Sequence, residues 1–178
     1  MNFWKKPFAK IAVFDKRVNY FDQQQIFAFA INSRLGLGWN DVDEPEKYEN
    51  NLHSRWNEDD CESSSILRPI RKCINETSWF TKKKFDSAVL NLIRPSDVHY
   101  IHCHADSQVA LYYINLEWKD GWHGETIFYD NNDQNSIVFT SPYVAGRIIL
   151  FDGSIPHTIR PQSIRAPKYR LTLSCFFK

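Results

Sequence analysis

Residues 146–160 read GRIILFDGSIPHTIR, and this stretch decides the fold class. It holds two short runs, 147–151 and 155–160, on either side of the dipeptide Asp152-Gly153. Short apolar runs bounded by turn residues are typical of strands. Asp-Gly is a frequent turn because Gly tolerates unusual backbone angles and Asp bonds to its own backbone. The stretch therefore predicts two consecutive strands.

The same pattern of short apolar runs between turn residues extends over the whole region after Phe85. Predicted strands cover residues 87–93, 98–104, 108–118, 125–129, 136–140, 147–151, 155–160 and 169–177. Turn residues such as Lys119-Asp120-Gly121 separate them. Eight short strands with a few helices in front predict a mainly β double-stranded β-helix, or jelly roll. Strand number alone leaves a sandwich of another topology open.

The first 84 residues predict elements that pack on this core. A short strand is predicted over 10–15, and a helix over 21–35 that ends at Gly36 and Gly38. A second helix is predicted over 65–74, with Pro69 in its first turn. We expect a single domain over 1–178, with 1–84 packing on a jelly-roll core at 85–178.

The composition argues against several classes of function. With 43% hydrophobic and 15% aromatic residues, the chain is globular. Its 22 basic and 21 acidic residues leave a net charge of +1, which gives no footprint for nucleic acid or anionic membrane. The 4 cysteines lack CxxC spacing. No apolar run near the start resembles a signal peptide or membrane span, so we expect a cytoplasmic protein with free thiols.

Three residues have the spacing of a metal site. His104 and Asp106 lie two positions apart at the end of a predicted strand, so their side chains point to one side. His157 lies at the start of a later strand. Two imidazoles and one carboxylate on one face of an ion leave positions open, which suits Fe(II) that binds a bidentate co-substrate and O2. We predict these three as the metal ligands, with no catalytic side chain beyond the metal centre.

Arg170 is the candidate anchor for that co-substrate. It follows His157 by thirteen residues, at the start of the last predicted strand. A guanidinium offers a two-pronged site for the far carboxylate of a dicarboxylate. Arg160 and Arg165 are nearer in sequence but lie in or beside a turn, and a strand holds a side chain more rigidly than a loop.

His102 offers an alternative. It shares strand parity with His104, so the two could form a His-x-His zinc or cupin-type site. That site would leave Asp106 and Arg170 without a purpose. We expect His99 and His123 to be surface or supporting groups.

Several motifs, in order, resemble one known superfamily. They are His-Ala-Asp at 104–106, LYYINLEW at 111–118, GETIFYD at 124–130, GRIILFDGSIPHTIRP at 146–161 and YRLTLSCFF at 169–177. Together they are similar to the 2-oxoglutarate- and Fe(II)-dependent oxygenases, and in particular to small prolyl-hydroxylase-like members of bacteria and phages. The resemblance covers the C-terminal half well and the first 40 residues loosely.

The resemblance implies a role for each candidate. His104, Asp106 and His157 match the metal ligands, and Arg170 matches the Arg that binds the distal carboxylate of 2-oxoglutarate. Tyr113 matches a Tyr whose hydroxyl assists that carboxylate. Fe(II) and 2-oxoglutarate are the implied cofactor and co-substrate, and ascorbate is expected as a further requirement.

Two departures from the family pattern stand out. His123 replaces the first Gly of a Gly-Gly-Glu-Thr motif that many relatives have. Collagen-type prolyl hydroxylases carry Lys where this chain carries Arg170, so the likeness is to the intracellular class.

The implied reaction is hydroxylation of prolyl residues in a peptide or protein, with release of succinate and CO2. The alternatives are a nucleobase demethylase or free amino acid hydroxylase of the same superfamily, and a non-enzymatic cupin-like jelly roll that binds metal. The near-neutral charge argues against nucleic acid. We expect a protein or peptide partner, no nucleic acid and no membrane; the sequence carries no sign of the oligomeric state.

Residues 39–65 predict a long surface loop rich in Asp, Glu, Asn and Ser. It carries Trp39, Tyr48 and Trp56. One hypothesis is a lid whose aromatic side chains close over an extended peptide beside the metal. The alternative is a surface insertion without a role.

Overall fold

The computed structural model describes residues 10–39, 51–95, 97, 99–104 and 106–178. Within them the strands are β1 (Ile11–Phe14), β2 (Gly36–Trp39), β3 (Asn51–Trp56), β4 (Phe85–Ile93), β5 (Gln108–Tyr113), β6 (Thr126–Tyr129), β7 (Ile137–Ser141), β8 (Ile148–Asp152), β9 (His157–Ile159) and β10 (Arg170–Phe177). The helices there are α1 (Tyr20–Ile31), α2 (Glu58–Ser63) and α3 (Leu67–Asn75).

The described strands form two antiparallel sheets. The larger sheet has the order β1-β8-β5-β10-β4-β3-β2, and the smaller sheet has the order β7-β6-β9. Apolar side chains from both sheets meet between them: Phe128 of β6 lies edge-on to Phe151 of β8, with ring centroids 5.1 Å apart. The predicted jelly roll is confirmed.

Side chains alternate between the two faces of β5 and β10, so these strands contribute to two separate clusters of buried residues. Tyr112 points to the side where the helices pack, whereas Leu111 and Tyr113 point into the space between the sheets. On β10, Arg170 shares parity with Phe176, which also lies between the sheets. The candidate site residues of both strands therefore face the same interior.

The helices follow from local signals. α1 begins after Asn19, whose side chain accepts a hydrogen bond from the backbone N–H of Asp22 at 2.9 Å. It ends at Ile31, so the predicted helix over 21–35 is too long. The next residue, Asn32, donates from its side chain to the carbonyl of Ala28 at 2.8 Å, which satisfies one carbonyl of the last turn. Gly36 then starts β2 instead of only terminating the helix.

The predicted loop over 39–65 is wrong for most of its described residues. Residues 51–56 form β3, which pairs with β4 along its length. Trp56 is only 3% exposed and packs edge-on against Phe29, with ring centroids 4.8 Å apart. It therefore belongs to the core and not to a lid. Tyr48 and the side chain of Trp39 lie outside the described residues.

The helix α2 also lies inside this predicted loop. It has a capping box, in which Asn57 Oδ1 accepts from the backbone N–H of Asp60 at 2.8 Å and Asp60 Oδ2 accepts from that of Asn57 at 2.9 Å. α3 lies close to its prediction, with Pro69 in the first turn. No helix in the described ranges is long and apolar enough to cross a bilayer.

Candidate functional site

Three imidazoles meet between the two sheets. His102, His104 and His157 each offer one ring nitrogen, and these nitrogens lie within 4.8 Å of one another. The ring centroids are 4.4 Å apart for His102 and His157, 5.0 Å for His102 and His104, and 5.1 Å for His104 and His157. Imidazole nitrogens bind metal ions at about 2.0–2.1 Å. Small side-chain adjustments would therefore bring all three nitrogens onto one ion.

Backbone pairing places this cluster. His102 and His157 stand directly opposite each other, with N–H···O distances of 3.1 and 3.0 Å in the two directions. His104 donates its backbone N–H to the carbonyl of Gly153 at 2.7 Å. Only glycine fits at 153, because a Cβ there would lie 2.3 Å from the carbonyl oxygen of His104 and 2.5 Å from that of Ser107. The turn between β8 and β9 thus holds both sides of the cluster.

The surroundings keep His157 neutral. Its Nδ1 lies 2.9 Å from the carbonyl oxygen of Ile155, so Nδ1 carries the proton and Nε2 keeps the lone pair. Burial lowers the pKa of His157 well below its ordinary value, and the neighbouring imidazoles lower it further. A neutral imidazole is the form that binds metal. Phe151 and Phe176 supply apolar walls beside His157 and His104.

Asp106 lies outside the group of three nitrogens. It follows in the turn after His104, with a left-handed φ of 62° and an exposed side chain. The Lys82 ammonium donates a hydrogen bond to its backbone carbonyl. The structure thus brings His104 and His157 together, adds His102, and leaves Asp106 turned outward. The assignment of Asp106 as a metal ligand stays a prediction.

Arg170 is fully buried, at 0% exposure. Its Nε donates to the carbonyl of Gly124 at 2.9 Å, and its Nη2 lies 3.4 Å from Thr126 Oγ1. The guanidinium carbon stands 5.4 Å from the ring centroid of Tyr113 and 5.0 Å from that of Tyr143.

Arg170 forms no ion pair with the described residues. Its Nη1 has no hydrogen-bond partner there, and the negative charge of Glu125 acts on the guanidinium without a direct contact. Burial lowers the pKa of Arg170, but an arginine stays charged in proteins. An unpaired buried cation costs several kcal/mol by order of magnitude. The pocket is therefore suited to an anionic ligand.

The hydroxyl groups of Tyr113 and Thr126 lie close to this guanidinium. Tyr113 donates its O–H to Thr126 Oγ1 at 2.7 Å, and both residues are almost fully buried. Tyr113 also stacks on Tyr143, with ring centroids 4.3 Å apart and planes 8° apart. Tyr143 is fixed in turn, because its hydroxyl oxygen accepts from the backbone N–H of Asn115 at 3.1 Å.

Sequence reasoning missed both Thr126 and Tyr143. The signal for Thr126 was present, because it is the Thr of the Gly-Glu-Thr motif and shares parity with the buried Phe128 on β6. No sequence signal marks Tyr143. Arg160 is exposed and stands near Glu125, with a closest N···O distance of 3.8 Å. Arg165 is also exposed, so neither alternative arginine enters the interior.

A narrow cavity lies beside the histidines. Its lining includes the three histidines, Leu111 and Thr126. Thr126 also contacts Tyr113 and lies 3.4 Å from Nη2 of Arg170, so the cavity reaches a residue that borders the buried cation.

No family model and no curated protein matches this chain. Solved structures match its fold. A prolyl-4-hydroxylase from Pseudomonas putida superimposes with a TM-score of 0.71 and 18% identity, over 96% of this chain and 93% of the other. A prolyl hydroxylase from Trichoplax adhaerens, in complex with a hypoxia inducible factor peptide fragment, gives a TM-score of 0.68 at 14% identity, over 94% and 83%.

A viral collagen prolyl hydroxylase from Paramecium bursaria Chlorella virus-1, in a 2-oxoglutarate complex, gives a TM-score of 0.66 at 14% identity, over 94% of each chain. A 2OG-Fe(II) oxygenase family protein from Burkholderia pseudomallei matches at 0.67 and 12%, over 95% and 85%. The chain therefore has the fold of the prolyl hydroxylases and of the wider 2-oxoglutarate- and Fe(II)-dependent oxygenases. The resemblance drawn from the sequence motifs is confirmed for the fold.

Proposed function

We propose that this chain is a 2-oxoglutarate- and O2-dependent dioxygenase that holds Fe(II) and hydroxylates prolyl residues of a peptide or protein. The observation that carries the proposal is the fully buried guanidinium of Arg170, which forms no ion pair with the described residues. It lies beside Thr126, which lines the same cavity as the histidine cluster. A dicarboxylate with a 2-oxo acid at one end matches these two parts of the site.

Arg170 and Thr126 supply complementary donors for the far carboxylate. Nη1 of Arg170 is available for one charge-assisted hydrogen bond. Thr126 Oγ1 accepts from Tyr113 and lies 3.4 Å from Nη2 of Arg170, so its own proton is free to be donated to a ligand. Tyr113 thereby orients the Thr126 hydroxyl toward the anion.

At the other end, His104 and His157 provide two neutral nitrogen ligands, which suit Fe(II). Asp106 is the proposed carboxylate ligand, and its exposed side chain would have to turn inward to reach the ion. When bound, Fe(II) and 2-oxoglutarate supply the oxidising chemistry that uses O2, releases succinate and CO2, and adds a hydroxyl group to the substrate. Phe151 and Phe176 keep water away from the reacting centre.

The prolyl substrate class rests on the sequence motifs together with the fold. Three of the structures that share the fold are prolyl hydroxylases, and the one from Trichoplax adhaerens is in complex with a peptide fragment. A peptide or protein is therefore the proposed partner. The charge balance of the chain gives no support to a nucleic-acid substrate.

The test is an assay of succinate formation from 2-oxoglutarate with Fe(II), ascorbate and O2, in the presence of a library of proline-containing peptides. Matched peptides with alanine in place of proline are the control. We expect turnover that rises only with particular proline peptides, which gain one oxygen atom by mass spectrometry. A protein that binds metal but neither binds nor consumes 2-oxoglutarate would be a metal-binding jelly roll, and the proposal would be wrong.

A further inference from the structure

The histidine cluster holds one more imidazole than the predicted ligand set. His102 is buried at 8% exposure, and its backbone pairs with that of His157 in both directions. Its Nδ1 lies 3.0 Å from the carbonyl oxygen of Tyr100. A carbonyl only accepts, so Nδ1 of His102 carries a proton, and Nε2 is the ring nitrogen that a metal ion would bind.

His102 and His157 are oriented by the same kind of local hydrogen bond. Each Nδ1 bonds to the carbonyl two residues earlier in the chain, Tyr100 in one case and Ile155 in the other. A backbone carbonyl on Nδ1 is a common partner of metal-binding histidines, because it fixes the tautomer and the direction of Nε2. Two opposed imidazoles with this arrangement, and a third within 4.8 Å, form a set of nitrogen donors around one point.

We propose that His102 is a metal ligand, and that His102, His104 and His157 form a three-imidazole site for a divalent metal ion in the conformation in which Asp106 faces solvent. The inference deepens the proposed function, on which it rests for the use of the ion. Metal binding by the three imidazoles can be tested without any turnover.

The chemistry of the donors supports this reading. A divalent ion among the three rings could bind one nitrogen of each, and imidazole nitrogen is a ligand that such ions favour. A site of three neutral nitrogens also leaves both charges of the ion uncompensated, which favours an anionic ligand in the open positions. Nitrogen donors prefer Co(II), Ni(II), Cu(II) and Zn(II) over Mg(II) and Ca(II), so the site should discriminate between these two groups.

The experiment counts nitrogens and measures affinity on the whole chain. Metal-free protein is titrated with Co(II) by calorimetry, and its Cu(II) form is examined by pulsed electron paramagnetic resonance. We expect three imidazole nitrogens on Cu(II) in the wild type and two in His102→Ala. The loss of even a group that only orients a ligand costs about 10–100-fold in metal affinity. Co(II) binding should therefore weaken at least about tenfold in His102→Ala.

One further variant serves as the control. His123→Ala removes a partly exposed imidazole outside the cluster and should leave Co(II) affinity unchanged. Asp106→Ala is a comparison and not a control, because it removes the other proposed ligand; it should lose less Co(II) affinity than His102→Ala. Thermal unfolding checks the fold of each protein, and His102→Gln replaces His102→Ala if the smaller side chain prevents folding. The nitrogen count of the wild type decides the proposal even if neither variant folds.

The inference is overturned if the wild type shows only two imidazole nitrogens, or if His102→Ala binds Co(II) as the wild type does while Asp106→Ala does not. Failure of the proposed function looks different. In that case the wild type binds metal through three imidazoles but neither binds nor consumes 2-oxoglutarate. If instead 2-oxoglutarate is consumed and the nitrogen count is two, the inference about His102 alone is wrong.

Discussion

Replacing Arg170 with methionine removes a cation while keeping an unbranched side chain in a position that is 0% exposed. The variant loses the charge-assisted pair with the far carboxylate of 2-oxoglutarate, which is worth about 1.5–3 kcal/mol. Because about 1.4 kcal/mol corresponds to a tenfold change in Kd, the Kd for 2-oxoglutarate should rise by about 12- to 140-fold.

The stability of the ligand-free protein should change little in Arg170→Met. The substitution removes a buried cation that forms no ion pair with the described residues, and burying such a charge costs several kcal/mol by order of magnitude. It also leaves the carbonyl of Gly124 without its donor, at a cost of about 1–3 kcal/mol. These terms oppose each other, so the free energy of unfolding should stay similar or rise.

Thermal unfolding with and without 2-oxoglutarate separates the two effects, with Mn(II) present as a stand-in for Fe(II) that resists oxidation. At about 100 times its Kd, a ligand stabilises the wild type by about 2.7 kcal/mol, and a hundredfold weaker Kd reduces this to about 0.4 kcal/mol. Arg160→Met, at an exposed position, is the matched control and should behave as the wild type. Full 2-oxoglutarate stabilisation in Arg170→Met, with a loss in Arg160→Met, would refute the assignment.

Three further substitutions test other parts of the structure. Tyr113→Phe removes the hydrogen bond to Thr126, so calorimetry should show a rise of about 2- to 12-fold in the Kd for 2-oxoglutarate, and a larger effect than Arg170→Met would contradict the assigned roles. Gly153→Ala forces a Cβ against two backbone carbonyls and should cost about 1–3 kcal/mol or more in denaturant unfolding while weakening Co(II) binding. Gly121→Ala meets open space but has a φ of 80° that disfavours alanine, so it should lower stability and leave Co(II) binding intact. Trp56→Ala should lower the free energy of unfolding by about 3–5 kcal/mol because the ring is in the core; unchanged stability with lost peptide hydroxylation would revive the lid hypothesis.

The jelly roll could be predicted from the sequence because most of its strands have a local sequence pattern. Short apolar runs separated by turn residues specify strands one at a time, and β4, β8 and β10 fall close to their predicted bounds. Arg170 could be singled out for the same reason, since it stands at the start of such a strand. Its burial and its lack of an ion pair with the described residues depend on neighbours from other strands, and no sequence pattern gives these.

The errors have different physical causes. β3 was missed because Ser54 and Arg55 interrupt its apolar pattern, and its pairing with β4 stabilises a segment of weak local preference. α2 could have been found, because Asn57 and Asp60 have the spacing of a capping box. The predicted strand over 98–104 is not a strand in its described residues, where His102 alone forms a bridge, to His157.

The conformation of Asp106 could not be read from the His-x-Asp spacing. In an extended strand, residues two apart share a side, but Asp106 has a φ of 62° and its carbonyl accepts from Lys82, 24 residues earlier. A contact made at that sequence separation belongs to the tertiary structure. Parity did predict that His102 and His104 share a side, and the structure places their rings 5.0 Å apart.

The two proposed ligand sets differ in charge. With three neutral imidazoles, the charges of Fe(II) and of the 2-oxoglutarate dianion would cancel, and Arg170 would leave these groups with one positive unit, on which the charge of Glu125 also acts. If the carboxylate of Asp106 replaced the imidazole of His102, the same groups would sum to zero, and a neutral buried assembly avoids the desolvation cost of a net charge. The proposed three-imidazole arrangement would therefore suit a pocket open to water, and binding of 2-oxoglutarate with exclusion of water would favour ligation by Asp106.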